Sequence, residues 1–509
     1  MLLGTVISLE GSPSTTQFSF VVESGNQNVK KGQYIQNTKN ARNGKDNESA
    51  GGGDGTIFGF ISEVTAANRY FERPESVAEY EKTQPMHDNF PISSWEHMIA
   101  EVKILGTFRD GRLMRTFKPP LPGSKVMEAE EGLLKKFLGF TDDGLLLGRL
   151  QHHEVEAKID MTRLLQKHLA ILAMSGAGKS HLTSIIMEEL LERTKETGRI
   201  ATIVVDIHGE YVGFQYDAVY GTKIKVVAGE EIATPLAKVR PEMLEEWLPN
   251  LSGPQKELLR SAIYELRKNA KSYSMKELIQ YIDSSEVAKE DTKKTLKRAL
   301  SEIRRYRFIS NKKENPHLIS DIKPGEIMIL DFSSIDSLRK KQILVSFISR
   351  RLFNLRKKGK IPPFLLVIEE AHNFAREKAE ASEAISKSII ETIAREGRKF
   401  GASLCLISQR PVNLSTTALS QCNTHIILRV TNPNDLMHIE MSSEGIDQRV
   451  AKSITSLKVG EAIIVGEAVN YPIFVNVRGR KSTKREKGLP LHQQAIDFEG
   501  IAEKKRERC

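Results

Sequence analysis

The stretch from His168 to Ser180 constrains the fold more strongly than any other part of the chain. It reads His-Leu-Ala-Ile-Leu-Ala-Met-Ser-Gly-Ala-Gly-Lys-Ser. A short apolar run leads into a loop of small residues, and a helical pattern of apolar residues follows that loop. This order of strand, glycine loop, lysine, hydroxyl and helix is typical of a phosphate-binding P-loop. An ordinary strand-to-helix turn would not require the Gly-Lys-Ser order, so the sequence predicts a nucleotide site.

The P-loop residues have separate expected roles. Glycines let backbone N–H groups surround phosphate oxygens without a clash from Cβ, and the following helix N-terminus favours negative charge. Lys179 is expected to reach the β- and γ-phosphates of ATP, and Ser180 to hold Mg²⁺. Ala173 stands where this motif usually has its first glycine. The residues predicted to bind the nucleotide are Ser175, Gly176, Ala177, Gly178, Lys179, Ser180 and His181.

A second motif is the apolar run 364–368, which ends in the two carboxylates Glu369 and Glu370. A buried central strand should be apolar along its length and carry polar groups at its carboxyl end, where ligands bind. As a Walker B strand, it would use Glu369 to hold Mg²⁺ or its water and Glu370 to polarise the attacking water. The alternative, that both acids begin an exposed helix, is disfavoured because a P-loop precedes them in the chain. The first acid is Glu rather than Asp, which leaves the metal geometry open.

Three further candidates follow the Walker B run. Gln409 comes directly after a strand pattern and is expected to sense the γ-phosphate or orient the water; the alternative is a residue that bonds within its turn. Arg395 and, as second choice, Arg398 lie near the end of a helix that Gly401 stops. The helix dipole favours basic residues there in any case. Alternatively, either arginine points at the γ-phosphate of a neighbouring subunit, as an arginine finger does.

The polar block 206–211 follows the strand pattern that comes after the P-loop helix. Its acid Asp206 and its imidazole His208 are expected to support the P-loop or the Mg²⁺ shell. No group of His, Cys and Asp residues has the spacing of a zinc site, so His208 is assigned no metal.

The length of 509 residues predicts two or three domains, each with its own core. No apolar run approaches the roughly 18 residues of a membrane span, and the apolar start is interpreted as a strand rather than a signal peptide. Cys405, Cys422 and Cys509 form no disulfide framework, which predicts a cytoplasmic protein. The formal net charge of +10 allows a nucleic-acid partner but does not establish one.

Residues 1–135 are predicted to be rich in strands, because runs of β-branched and aromatic residues alternate with turn residues. Many short strands with little helix favour a small barrel or sandwich. A polar loop is expected at 37–55, a boundary or fixed turn at 119–123, and a link at 144–150 that ends the first domain, 1–150. The predicted strands are Leu2–Leu9, Gln17–Val22, Gln33–Ile35, Thr56–Val64 and Met98–Leu105.

From about residue 165 strands alternate with helices, which is typical of an α/β fold with a mainly parallel sheet. We expect a RecA-like ATPase core at 151–239 and 311–477, with a helical bundle inserted at 240–310. The basic tail 478–509 is either a solvated end or a segment with a specific role. The predicted strands are Leu169–Ala173, Ala201–Ile207, Lys223–Val227, Glu326–Phe332, Phe364–Ile368, Ser403–Ser408, His425–Val430, Glu461–Val465 and Pro472–Val477.

These motifs, in this order, closely resemble the HerA family of archaeal and bacterial DNA translocases, within the HerA/FtsK group of P-loop ATPases. The resemblance covers most of the chain. Ala173 is shared with that family's P-loop, whereas Lys167 stands where some relatives carry arginine. The segments 11–20 and 59–64 are similar to the family's N-terminal HAS-type β-barrel. The other segments that carry the resemblance are 168–180, 206–211, 368–372, 394–401 and 408–411.

The resemblance implies a homohexameric ring with double-stranded DNA in its central pore and no membrane partner. Each active site would lie between subunits, with Lys179, Ser180, Glu369, Glu370 and Gln409 from one subunit and Arg395 from the next. It also implies ATP and Mg²⁺ as cofactors, and a NurA-type nuclease partner for end resection in double-strand break repair.

Three alternatives remain open from the sequence. Similar bacterial proteins work with other effectors in anti-phage defence. A polypeptide motor resembling type IV secretion ATPases would share much of the core, although the N-terminal barrel and the absence of a membrane-length apolar run weigh against it. A nucleotide-gated assembly platform, whose ring matters more than its motion, is the third.

Overall fold

The computed structural model describes most of the chain, and the described residues divide into two compact units. One unit contains Met1–Leu164, Asn423–Arg429 and Ser443–Arg478, and the other contains Leu165–Cys422, Val430–Ser442 and Gly479–Cys509. Most of the predicted loop 37–55 and the tail residues Lys484, Arg485 and Lys487 lie outside the described residues. The described ranges are 1–9, 11–26, 28–37, 55–68, 96–109, 112–270, 272–286, 288–310, 314–380, 383–443, 445–446, 448–483, 491–496 and 498.

The first unit begins with a closed antiparallel barrel. Its strands are β1 (Leu2–Ile7), β2 (Gln17–Val22), β3 (Tyr34–Asn37), β4 (Thr56–Asn68), β5 (Glu96–Arg109), β6 (Arg112–Met114) and β7 (Lys125–Glu128). They pair in the order β2-β1-β7-β3-β4-β5, with β6 on the edge of β5, and a pairing of β2 with β5 closes six of them into the barrel. Phe18, Phe20, Ile35 and Ile61 fill its core. Closure removes the exposed edges that a sandwich would keep.

The same unit holds five further antiparallel strands, which pair in the order β16-β17-β18-β8-β9. The prediction of a link at 144–150 was wrong, because these residues lie in β8 and pair with β18 and β9. The strand also runs through Asp142, Asp143 and Gly144, although such residues are more common in turns. The strands are β8 (Phe140–Leu150), β9 (Glu156–Ile159), β16 (Thr424–Ile427), β17 (Glu461–Gly466) and β18 (Ile473–Val477); the helices are α1 (Glu131–Leu138), α2 (Met161–Leu165), which ends at the start of the second unit, and α13 (Gln448–Ser456).

The second unit is built on six parallel strands in the order β12-β13-β11-β14-β15-β10. Strands β10, β11 and β14 are buried at every position, as expected for a parallel sheet covered on both faces. The strand predictions agree with the structure to within a few residues. The strands are β10 (Leu169–Leu172), β11 (Ala201–Asp206), β12 (Ile224–Ala228), β13 (Ile327–Asp331), β14 (Phe364–Ile368) and β15 (Ala402–Ser408).

Helices in the second unit connect these strands. The α-helices outside the inserted bundle are α3 (Lys179–Glu192), α8 (Leu318–Asp321), α9 (Leu338–Lys357), α10 (Lys387–Glu396), α11 (Thr416–Ser420) and α12 (Pro433–Ser442). Short 3-10 turns cover Val212–Tyr216, Gly221–Lys223, Gly229–Glu231, Leu236–Lys238, Ala371–Asn373, Gly397–Phe400 and Pro411–Asn413.

The predicted helical insertion is confirmed between β12 and β13. Its helices are α4 (Pro241–Trp247), α5 (Gly253–Asn269), α6 (Met275–Ser284) and α7 (Glu290–Arg305). Capping boxes begin two of them, where the side chains of Ser252 and Ser274 meet backbone N–H groups three residues later. Trp247 is fully buried against Phe308, with their ring centroids 5.4 Å apart.

The start of the tail is docked rather than solvated. The Glu188 carboxylate on α3 accepts hydrogen bonds from the N–H groups of Lys481 and Ser482, at 2.9 and 2.8 Å, and from Ser482 Oγ at 2.6 Å. Asp217 accepts the N–H of Thr483 at 2.7 Å. A solvated end is therefore wrong for residues 479–483. The predicted domain boundaries stay predictions.

Candidate functional site

The predicted site residues, apart from the two arginines, lie where the six parallel strands end. We call this side of the sheet its carboxyl edge, and the side where the strands begin its amino edge. Because the strands are parallel, the loops after β10, β11, β14 and β15 all leave from the carboxyl edge. The β10–β15 register ends with Leu172 opposite Ser408, and the β11–β14 register ends with Val205 opposite Ile368. The P-loop, the block 206–211, the two Walker B acids and Gln409 therefore follow adjacent strand ends.

The P-loop has the backbone that the sequence predicted. Gly178 caps α3 with φ of 105°, a conformation that a side chain would strain. Ala173 N–H bonds the carbonyl of Ser408 at 3.2 Å, which ties the loop to β15. Lys179 Nζ donates to the carbonyl of Met174 at 3.3 Å. Burial lowers the pKa of Lys179, while Glu370 and other nearby acids act against that shift.

Glu370 is mostly buried and has an unusual backbone, with φ of 47°. Its Oε2 atom has no hydrogen-bond partner among the described residues, although His372 Nδ1 lies 3.4 Å away. That contact is no ion pair, because burial lowers the pKa of His372 to about 4 and leaves the ring neutral near pH 7. Burial also raises the pKa of Glu370, against the opposing effect of Lys179. An unpaired buried carboxylate oxygen requires a donor, which a substrate water can supply.

Glu369, for which the sequence predicts a role toward Mg²⁺, is engaged in contacts within the protein. It is 3% exposed, and its two oxygens accept the Ile207 N–H at 3.3 Å and the Tyr211 hydroxyl at 3.2 Å. Burial, together with Asp206 and Glu210, raises the pKa of Glu369 well above its usual range. Its contacts with Ile207 and Tyr211, and a side-chain hydrogen bond with Glu210, all involve the 206–211 block.

Glu210 is the acid that contacts the P-loop hydroxyl, because Ser180 Oγ donates a hydrogen bond to Glu210 Oε2. Sequence reasoning noticed the block 206–211 but did not single out this residue. The available signal was that this block begins with the acid at the end of a predicted strand. Neighbouring parallel strands end on the same side of a sheet, so such a block is expected near the P-loop. His208 belongs to the same block, and its N–H bonds Asp206 at 3.2 Å.

Gln409 lies at the tip of β15, as predicted, and its backbone N–H donates to the Glu370 carboxyl group. Ser408 Oγ accepts the Arg410 N–H at 3.0 Å and lies 3.1 Å from His372 Nδ1. Since this hydroxyl accepts from Arg410, it is free to donate to the neutral imidazole. His372 thus joins the ends of β14 and β15.

Arg395 and Arg398 are not brought to the P-loop of their own chain. Both are exposed and lie where α10 returns to the amino edge of the sheet. A Cβ at Gly397 would collide with the Ala402 carbonyl at the start of β15, which fixes the helix end against that edge. Strand β15 has seven residues and separates the two edges by about 20 Å.

His168 lies at the same amino edge, and its ring connects strand β15 to the end of helix α10. It precedes β10, and its Nδ1 accepts the Leu404 N–H at 3.0 Å, so Nε2 carries the proton donated to the Ala394 carbonyl at 3.0 Å. Burial lowers the pKa of His168 to about 4, which keeps the ring neutral. No sequence signal identified this role, because both partners are more than 200 residues away.

The fold and site define a P-loop ATPase core: a parallel sheet with a P-loop after one strand and paired acids after a nearby one. Residues 145–352 match the family described as "Helicase HerA, central domain". The chain is 32% identical to "Probable helicase MJ1565" of Methanocaldococcus jannaschii, over 83% of this chain and 84% of that protein. It is 30% identical to "DNA double-strand break repair helicase HerA" of Pyrococcus furiosus, over 77% and 80%. The chain belongs to the HerA family.

Solved structures share the fold at low identity. VirB4 of Thermoanaerobacter pseudethanolicus matches with a TM-score of 0.54 and 16% identity, over 67% of this chain and 98% of that chain. The plasmid coupling protein TrwB, in complex with a non-hydrolysable ATP analogue, matches with 0.51 and 12%, over 71% and 95%. These likenesses support the fold assignment. Among the described residues, no helix is long and apolar enough to cross a membrane.

Proposed function

We propose that this protein is an ATP-driven translocase of double-stranded DNA that works as a hexameric ring with a NurA-type nuclease in end resection during double-strand break repair. The observation that carries the proposal is the gathering of Lys179, Ser180, Glu370 and Gln409 at one sheet edge, in a chain of the HerA family. Relatives are named as helicases and as double-strand break repair proteins. Neither anti-phage defence nor polypeptide transport is favoured by a specific feature of the structure.

The residues present fit ATP with Mg²⁺. The acids Glu210, Glu369 and Glu370 surround Lys179, with Asp206 next to Glu369, and such an excess of carboxyl groups suits a cation. The unpaired Glu370 oxygen also calls for a donor. TrwB has been solved with ADP and Mg²⁺ on a similar fold, with a TM-score of 0.51. Bound Mg²⁺ would neutralise charge on the β- and γ-phosphates; Ser180 and an acid nearby would hold it.

The chain's own groups then supply the hydrolytic chemistry. Glu370 orients a water through its unpaired oxygen and accepts its proton, and the raised pKa of this buried carboxyl makes it a better base. Gln409, whose backbone bonds Glu370, orients the same water or senses the γ-phosphate. Lys179 holds the β- and γ-phosphates, and the remaining loop residues (175–178 and His181) surround them.

A second copy of the chain completes the site in this proposal. Arg395 or Arg398 lies at the opposite sheet edge and is exposed, so either arginine can serve only the nucleotide of a neighbouring copy. A head-to-tail contact of this kind generates a closed ring when its rotation closes. Six copies are the number that the family resemblance implies.

Steady-state ATPase activity tests the proposal, measured on size-selected fractions with and without linear duplex DNA. We expect strong stimulation by DNA in a ring-sized fraction. Affinity for DNA should fall by orders of magnitude between about 50 and 200 mM salt if six or more phosphates are contacted. An ATPase rate that duplex DNA does not change would contradict the translocase and would favour the polypeptide motor or the assembly platform. Resection assays with a NurA-type nuclease test the partner separately.

A further inference from the structure

The loop after β11 is held rigidly by one buried acid. Asp206 is fully buried, and its carboxylate accepts the N–H groups of His208, Glu210 and Tyr211 at 3.2, 2.9 and 2.8 Å. These three bonds wind the loop around Asp206 and fix the backbone of Glu210. The loop is therefore ordered by its own contacts.

Two glutamates next to this loop then differ in what they can do. Glu369 accepts hydrogen bonds from the Ile207 N–H and the Tyr211 hydroxyl of the loop, and its carboxyl group also shares a hydrogen bond with that of Glu210. Glu210 instead accepts the hydrogen bond of Ser180 Oγ, the hydroxyl at the second position of the P-loop helix. Of the two, Glu210 is the one in contact with the group expected to bind the metal.

We propose that Glu210 is the carboxylate that accepts hydrogen bonds from the Mg²⁺ ligands beside Ser180, and that Glu369 positions the loop that presents it. Mg²⁺ in nucleotide sites keeps several waters and is held through one or two carboxylates, so an acid next to Ser180 is suitably placed to receive them. This inference rests on the proposed nucleotide site and reassigns the metal role predicted for Glu369. Glu370 keeps its role toward the water.

The test is a Mg²⁺ titration of the binding of a fluorescent, non-hydrolysable ATP analogue to the full-length chain. We expect Glu210→Gln to raise the Mg²⁺ concentration at half-maximal binding by about 10- to 100-fold, the usual cost of losing a partner of metal ligands. Glu369→Gln, which keeps an acceptor and a donor for the loop, should raise this midpoint clearly less than Glu210→Gln does. The exposed Glu196→Gln, on the loop after α3, is the matched control and should behave as the wild type.

A double-mutant cycle adds a second readout. If Glu210 acts through Ser180, the double variant Ser180→Ala/Glu210→Gln should shift the logarithm of the Mg²⁺ midpoint by clearly less than the sum of the two single-variant shifts. Urea midpoints identify variants that fail to fold. If Glu210→Gln is one of them, Glu210→Asp replaces it, because the shorter side chain keeps the charge but loses the contact.

The outcomes separate this inference from the proposed function. Binding by the wild type, with an unshifted midpoint for Glu210→Gln and a strongly shifted one for Glu369→Gln, would overturn the inference and leave the nucleotide site intact. Additive shifts in the double-mutant cycle would overturn it too. Absence of nucleotide binding by the wild type would overturn the proposed function itself.

Discussion

The two edges of the six-strand parallel sheet carry opposite kinds of groups. The carboxyl edge gathers the P-loop and four acids, most of them buried and bonded to each other's loops. The amino edge presents Arg395 and Arg398, both exposed, beside a neutral buried histidine. One edge carries the groups that we propose to bind the nucleotide, whereas the other carries the cations that we propose to stabilise the charge of the transition state at a neighbouring copy.

If the arginines act as proposed, one copy of the chain does not assemble a complete site. About 20 Å of strand lies between the arginines and the phosphates that they would serve. In this proposal a complete site requires a neighbour whose amino edge faces the P-loop.

Arg395→Ala should reduce ATP turnover by about 10³-fold or more, as expected when an arginine finger is removed. Nucleotide binding should change little, because the arginine contributes nothing to the site of its own copy. Turnover and analogue binding are measured on the same preparation. Arg398→Ala serves as the comparison, and a greater loss there would transfer the role to the second arginine; normal turnover in both variants would contradict a finger at this edge.

Glu370→Gln should lower turnover by about 10²- to 10⁴-fold, the usual contribution of a general base. The variant should still bind ATP, because Glu370 is assigned to the water rather than to the phosphates. Single-turnover hydrolysis and equilibrium binding distinguish the two effects. Loss of binding would instead make Glu370 a structural residue of the carboxyl edge.

His168→Ala should lower the free energy of unfolding by about 2 kcal/mol or more, because it leaves the Leu404 N–H and the Ala394 carbonyl without their buried partner. Chemical denaturation at pH 7 measures this loss. The exposed His317→Ala is the control and should unfold like the wild type.

The pH dependence sharpens the same prediction. The pKa of His168 is lowered from 6.5 to about 4 in the folded chain, so the unfolded chain binds the proton first as pH falls. The contribution of His168 to the free energy of unfolding is therefore fully present above pH 6.5. It is lost as the pH falls from 6.5 to 4, and the loss reaches about 3 kcal/mol. His168→Ala should have a shallower decrease over that range. An unchanged slope would contradict a buried neutral ring.

The smallest expected effect on stability is at the start of the tail, where residues 481 and 482 bond Glu188 of α3. Ser482→Ala should cost about 1.5–3 kcal/mol of stability, because it removes a hydrogen bond to the buried charge of Glu188. Lys481→Ala removes partly exposed ion pairs with Glu192 and Glu189 and should cost less than about 1 kcal/mol. Urea denaturation compares the two variants. Equal losses would mean that the buried contact is no stronger than the surface pairs.

The sequence predicted the groups whose signal is local. The P-loop, the Walker B acids and Gln409 each follow an apolar run directly, and parallel strands bring such ends to one edge without further information. The helical insertion was equally readable, because its apolar residues repeat at helical spacing.

Contacts between distant residues could not be read in this way. Ser180 and Glu210 are 30 residues apart, His168 and Leu404 are 236 apart, and Glu188 and Ser482 are 294 apart. Nothing in the local pattern of either partner specifies the other. The same limit explains the stretch 144–150, which forms a strand because it pairs with β18, far along the chain.

Complementation between two inactive variants tests the separation of the edges most directly. Lys179→Ala and Arg395→Ala chains, each with a different affinity tag, are co-expressed and purified through both tags, and their ATPase activity is compared with either variant alone. If the site combines Lys179 of one copy with Arg395 of the next, about a quarter of the interfaces between neighbouring copies in a randomly mixed ring contain both residues. We therefore predict clear recovery of hydrolysis in the mixture. Mixed assemblies that stay as inactive as the single variants would contradict a site shared between copies.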